Sequence, residues 1–530
     1  MTTTATPYRS QVRSGGDGFG QSLRAEWTKF RTVRGRMLAL LGAVMATVLV
    51  GLLGTASHGG HGALPAPPRG PGGESVSDAF YFLHRTLDGD GSITVSVRSL
   101  TGEVADTPTR AVPGLAPWSQ AGIIVKESLT PGAPYAALML TGAHGVRLQH
   151  DFTQDTAAGA APTAAPVWLR LVRAGDLITG YVSADGLHWA AAGTATLAGA
   201  PLVVQAGLFV ASPPAAQDTG TGIGFAPAAA TAAFGPPRLS GSWPTGPSGS
   251  AGSSGSAGSV GSAGSSGGWT GGQIGDAGGY PPGLEGGATA TADGYTLTGA
   301  GDIAPLTGGQ ATAGGIGVER FLVGGFAGML VLIVLGALTT AGEYRRGLIR
   351  TTLAATPQRG RILAAKACVL GGAGFSAGAL AAAVVLPIGE QRARSSGFIL
   401  FAVPWTTELR LVVGTGLLFA LAGVLGVALG TVLRRGAATV ALLVAGLVLP
   451  YLLAASSVLP SGPSQWLLRL TPAAGFAIQQ TLPHYEQVFD VYTPANGYFP
   501  LAPWTGLAVL GGYAVAALLL AWALLRRRDV

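Results

Sequence analysis

Asp88-Gly89-Asp90-Gly91 puts two carboxylates within three residues, and calcium is the chemistry such a stretch invites. An EF-hand loop also needs an acidic residue at its twelfth position, and counting from Asp88 that position holds Ser99. The stretch reads as a β-turn, and no metal site is expected. Glycan cleavage would need two carboxylates facing one cleft. Glu103, Glu127, Asp151 and Asp176 are scattered, and nothing in their spacing pairs them. A phosphate loop needs lysine and backbone amides to converge in G-x-x-x-x-G-K-[ST]. The lysines are Lys29, Lys126 and Lys366, and none follows a glycine. The chain therefore reads as non-catalytic, with no cofactor of its own.

Composition explains where such a chain resides. Charged residues are 11% of 530 positions, hydrophobic types 48%, and the mean hydropathy is +0.43. A soluble chain of this length carries about 25% charge, so lipid is the solvent that fits. A net charge of +7 would suggest nucleic acid in a soluble protein. Here the arginines crowd the ends of apolar runs, which points to a membrane surface and not to nucleic acid. The single cysteine, Cys368, excludes an intrachain disulfide, so any exported domain folds on packing alone.

Six apolar runs, 37–54, 321–341, 365–389, 411–433, 437–457 and 504–525, each approach the ~20 residues that cross a bilayer. The first could be the apolar part of a signal peptide, but its basic leader is long and no clear A-x-A site follows. It reads as a retained span. Before it, 1–21 is polar and expected to be disordered. Over 22–36, Leu23, Trp27, Phe30 and Val33 share one helical face, with Glu26 and Lys29 among the polar residues, as in a helix lying in the membrane interface. The simpler alternative is a positively charged flank.

Orientation follows from the basic residues. With the N-terminus inside, the inner flanks hold Arg24, Lys29, Arg31, Arg34, Arg36, Arg345, Arg346, Arg350, Arg359, Arg361, Lys366, Arg434, Arg435 and Arg526 to Arg528. The outer flanks hold Arg320, Arg392, Arg394, Arg410 and Arg469. Both termini are then cytoplasmic and 55–320 is extracytoplasmic. Lys366 apart, counted with the inner flank, the runs contain no Asp, Glu, Lys, Arg or His. Ion-coupled transporters keep such groups at membrane depth. Energy for uphill transport would have to come from a partner.

Between the first two runs the pattern changes to period-two strands over 76–238, such as SITVSVRSL, AGIIVKESL and VWLRLVRAG, which reads as a β-sandwich. Residues 240–282 form a Gly/Ser-rich linker, and 283–306 offers strands that could close the sandwich from its C-terminal side. In SADGLHW, 183–189, the indole of Trp189 is expected to pack beneath an Asp-Gly hairpin. The loop 458–503 has helical apolar spacing and is expected to dip into the outer leaflet, with His484, Tyr485 and Glu486 solvated.

The stretch EYRRGLIRTTLAATPQRGRILAAK, 343–366, resembles the ABC-2 type permeases of actinobacteria through Glu343, Tyr344, Arg345, Arg346, Gly347, Thr351, Thr352, Leu353, Pro357 and Arg361. LRAEWTKFRTVRGR resembles the same family's amphipathic helix, and LTPAAGFAIQQTL (470–482) the segment before its last span. The resemblance covers about 24–54 and 315–530. It implies that 343–361 forms a coupling segment against a separate ATP-binding subunit, and that the spans pair as a homodimer or with a second permease. Positive-inside anchoring would explain the arginines alone. The β region resembles concanavalin A-like lectin/glucanase sandwiches through DGDGSITVSV, AGIIVKESL and SADGLHW. That resemblance leaves Trp118, Tyr135 and Trp168 as candidate contacts for a cell-wall glycan.

The expected fold is an α-helical membrane protein with six transmembrane helices and an inserted all-β, concanavalin A-like extracytoplasmic sandwich. The expected function is the permease of an ABC-2 type exporter in the plasma membrane, moving an apolar or amphipathic substrate. The alternative is a membrane-anchored lectin-like sensor or adhesion protein without transport.

Overall fold

A computed structural model describes residues 18–53, 66–158, 166–218, 223–244, 268–307, 315–345, 358–396, 398–456, 459–488 and 492–527. Helix α1, Phe19–Thr32, ends where Val33 takes an extended conformation (ψ 99°), and α2, Arg34–Leu53, starts at the next residue. The single helix expected over 22–36 is thus two. Val33 and the arginines after it fall outside the α1 face, and Val33 is exposed.

Among the described residues, six helices are long and apolar enough to cross a membrane. They are α2, α3 (Gly325–Arg345, preceded by a 3-10 turn from Val318), α4 (Arg359–Ser395), α5 (Trp405–Leu433), α6 (Gly436–Ala455) and, after the short α7 (Ser461–Leu470), α8 (Pro503–Arg527). Small residues let them approach closely. A Cβ on Gly336 of α3 would lie 2.8 Å from the Gly423 carbonyl of α5, so the two backbones touch there. In α6 the turn widens to π geometry over Val444–Val448, just before Pro450, whose missing N–H frees a carbonyl one turn earlier. Between α7 and α8, Pro472–Gln479 form a 3-10 helix, buried from Ala473 on, that packs on α5 and α8.

The β domain is built around one strand, β2, Phe80–Thr107. Its first part lies between β16 (Thr270–Ile274) and β11 (Val203–Ala211), and that sheet continues through β4 (Gln120–Lys126), β5 (Tyr135–Thr141), β6 (Val146–His150) and β7 (Gln154–Ala157). Its second part pairs with β8 (Val167–Ala174), which leads on to β9 (Leu177–Ser183) and β10 (Ala190–Thr196). On the other side it takes β14 (Ala228–Phe234) and β15 (Arg238–Ser242); its last residues pair with β3 (Arg110–Pro113), and β12 (Ala215–Asp218) pairs with β13 (Ile223–Ala226).

Asp88–Gly91 is therefore no chain-reversing turn. It is the bend at which β2 passes from one layer to the other, with Gly89 at φ +72° and Asp90 Oδ1 accepting the Gly175 N–H at 2.7 Å. The layers enclose Leu83, Ile93, Ile123, Leu138, Leu169 and Leu208. The far face of the first layer is covered too, by a second core of Phe80, Phe82, Tyr135, Phe152 and Phe209, so every residue of β4 is buried. Segment 283–306 supplies β17 (Gly287–Thr291) and β18 (Gly294–Gly299), the latter paired with β14, and β19 (Ile303–Pro305), paired with β1 (Val76–Asp78).

Candidate functional site

The helix ends away from the β domain carry a compact charge cluster. Glu343, Tyr344 and Arg345 close α3, and Arg361 lies in the first turns of α4. Arg346, Gly347, Thr351, Leu353 and Pro357 lie outside the described residues. Lys366, two turns into α4, places Nζ 2.6 Å from Glu343 Oε1 and 3.0 Å from Glu26 Oε2. The three side chains are only 9–11% exposed. Lys29 completes the cluster with Nζ 2.9 Å from Glu26 Oε1. Burial raises the pKa of the Glu26 carboxyl, but Lys366 and Lys29 outweigh it and hold the group below its usual range. Beside the cluster, the Arg434 guanidinium sits 4.8 Å from the Tyr344 ring centre, and Arg359 donates to the Leu525 carbonyl at the end of α8.

The cluster joins α1 to the bundle. Phe30 is buried and Leu23 half-buried against the helices, whereas Trp27 is exposed and stacked at 6.2 Å on Phe30. Glu26 belongs to the packed side and not to a solvated one. Sequence reasoning did not find Lys366 as a site residue. The available signal was a lysine one residue inside an apolar run, in a chain with so few.

The β-domain aromatics behave differently from sugar platforms. Tyr135 is fully buried within the second core, so it offers no ring face to a glycan. Trp118 is 7% exposed, with His144 stacked on it at 3.8 Å and 9° and Arg147 at 5.3 Å from its ring. Trp168, half-buried, lies under the hairpin tip, where a Cβ on Gly186 (φ +75°) would meet its Cε2 at 2.9 Å. The indole beneath the Asp-Gly turn is thus Trp168; Trp189 instead carries Arg170 at 3.9 Å from its ring. A deeper ion pair, Lys126 Nζ to Asp78 Oδ2 at 2.6 Å, is wholly buried, and the Gly132 N–H donates to the same oxygen.

The loop 458–503 is where the β domain rests. Glu486 accepts from Arg147 at 3.3 Å, Gln487 is buried and donates to the Phe152 carbonyl at 3.1 Å, and Tyr485 is half-buried. Ser75 accepts the Ala402 N–H ahead of α5. The solvated state expected of 484–486 therefore applies to only part of it.

No family profile matches this chain, and no curated protein matches it. Among solved structures, the GH43 protein BlXynB of Bacillus licheniformis aligns at 18% identity over 29% of this chain, with a TM-score of 0.20. The alignment spans 28% of that protein's length. A functionally unknown protein from Saccharomyces cerevisiae aligns at 17% identity over 32% of this chain and 76% of its own, with a TM-score of 0.17. Likeness at this level carries no functional argument.

Proposed function

We propose that this chain is the membrane subunit of an ABC-2 type exporter, driven by ATP hydrolysed in a separate subunit that docks on 343–361 and α1. The observation that carries this reading is the buried Glu26–Lys366–Glu343 cluster. It ties α1 to the last turn of α3 and the second turn of α4, so a push on the segment between α3 and α4 reaches three helices at once. The apolar interiors of the six helices add to the case, since they offer no Asp, Glu, Lys, Arg or His at mid-depth for ion coupling.

The basic flanks support the topology, in which both termini face the cytoplasm and 55–320 lies outside the plasma membrane, and the aromatics mark the two membrane borders. Exposed Trp405, Trp466 and Trp504 mark the helix ends beside the β domain, and exposed Trp27 and Trp522 the opposite ends. The β domain is a concanavalin A-like sandwich standing over the outer mouth. The spans pair as a homodimer or with a second permease, and their cargo is apolar or amphipathic.

Purification from native membranes in mild detergent tests this. An ATP-binding subunit should co-purify with the wild-type chain and be lost when Glu343→Ala and Arg346→Ala are combined. A chain that purifies without any such subunit would favour the anchored sensor.

A further inference from the structure

A cleft of about 1020 Å³ in the β domain opens beside the contact with the 458–503 loop and takes in Gln487 from it. Its walls are mostly apolar: Pro68, Leu115, Pro117, Pro213 and Phe225 among them. The acidic groups on it are three carboxylates, of Asp78, Asp276 and Asp302. Asp302 lines the cleft at 7% exposure; the Ile303 N–H bonds its carboxyl, and Oδ1 has no partner among the described residues. Asp276 adds a second carboxylate at the rim, one oxygen of which accepts the Gly278 N–H. Asp78, also in the wall, already has Lys126. Among the described residues, the only lining side chain able to carry positive charge is His144, which stacks on Trp118.

A buried carboxylate without a cation beside it is costly, and a cation in the cleft would relieve that cost. We propose that this cleft is a binding site for a small organic cation, whose ammonium donates to Asp302 while its apolar body lies on the proline-lined walls. The apolar walls select against a bare, strongly hydrated metal ion, and the carboxylates of Asp302 and Asp276 select against an anion. The site stands whether or not the helices transport, because all of its carboxylates belong to the β domain.

The test is titration calorimetry on the full chain in lipid nanodiscs, with empty nanodiscs subtracted. The probes are phenethylammonium, 2-phenylethanol and 3-phenylpropionate. Phenethylammonium should bind at least about tenfold more tightly than either relative, and Asp302→Asn should remove that preference. Ala216→Trp, at an exposed point of the wall, should block the cation by filling the cleft and guards against misfolding of the first variant. Equal binding of the cation by wild type and Asp302→Asn would overturn the proposal. So would equal binding of the alcohol, or no binding by folded wild-type protein.

Discussion

Replacing Lys366 with Met removes the cation from the inner cluster while keeping a flexible apolar side chain of similar length. Glu343 then loses its cation at 2.6 Å, and Glu26 loses one at 3.0 Å while keeping Lys29. Breaking a buried pair by deleting one partner costs about 3–5 kcal/mol, because the other charge is left desolvated. Lys29 is nearly half exposed and compensates Glu26 only in part, so about 3 kcal/mol is the expected loss. At about 2–4 °C per kcal/mol for a domain of this size, the unfolding midpoint in nanodiscs should fall by roughly 6–12 °C. Tryptophan fluorescence follows the transition, and Trp27 on α1 should report it at or below the global midpoint. Adding Glu26→Gln and Glu343→Gln to Lys366→Met should recover most of the loss, since no charge is then buried alone. A midpoint within about 2 °C of wild type for Lys366→Met, or no recovery in the triple variant, would refute the reasoning.

Two further outcomes follow from the β domain. Burial pushes the Asp302 carboxyl from its ordinary 3.8 up to about 7, so the folded state holds a proton that the unfolded state releases. Stability from this group is full below about pH 4 and declines as pH rises towards 7, by a ceiling of about 4 kcal/mol. Asp302→Asn should therefore flatten the wild-type loss of thermal stability between pH 5 and 8, and identical pH profiles would contradict the assignment. Deleting 283–306 removes β18 from the edge of β14 and β19 from β1. The deleted chain should unfold earlier and aggregate through the bared edge, and unchanged melting would show that these strands are dispensable.

What could be read from the sequence was set by local pattern. Uninterrupted apolar runs give the six long helices, and the alternation in SITVSV or VWLRLV gives strands, because each depends on neighbours a few residues away. Long-range burial is another matter. DGDG has the composition of a turn, yet the strand runs on through it, since Gly89 supplies the left-handed conformation that lets β2 bend between layers. Tyr135 and Trp118 look like surface aromatics until the second core and the His144 stack cover them. The partners of Lys366 lie 340 and 23 residues away, and no periodicity relates them. Val33 carries the right polarity for the α1 face, but a backbone break at that residue turns it out.

ATP hydrolysis by the reconstituted complex, with and without a disrupted 343–361 segment, bears most directly on the central claim. If energy enters through that segment, the wild-type chain should stimulate its ATP-binding partner, and Glu343→Ala with Arg346→Ala should lower the stimulation by about tenfold, equivalent to 1.4 kcal/mol of coupling. Stimulation unchanged by the double substitution, or uphill transport by the purified chain on an ion gradient alone, would contradict it.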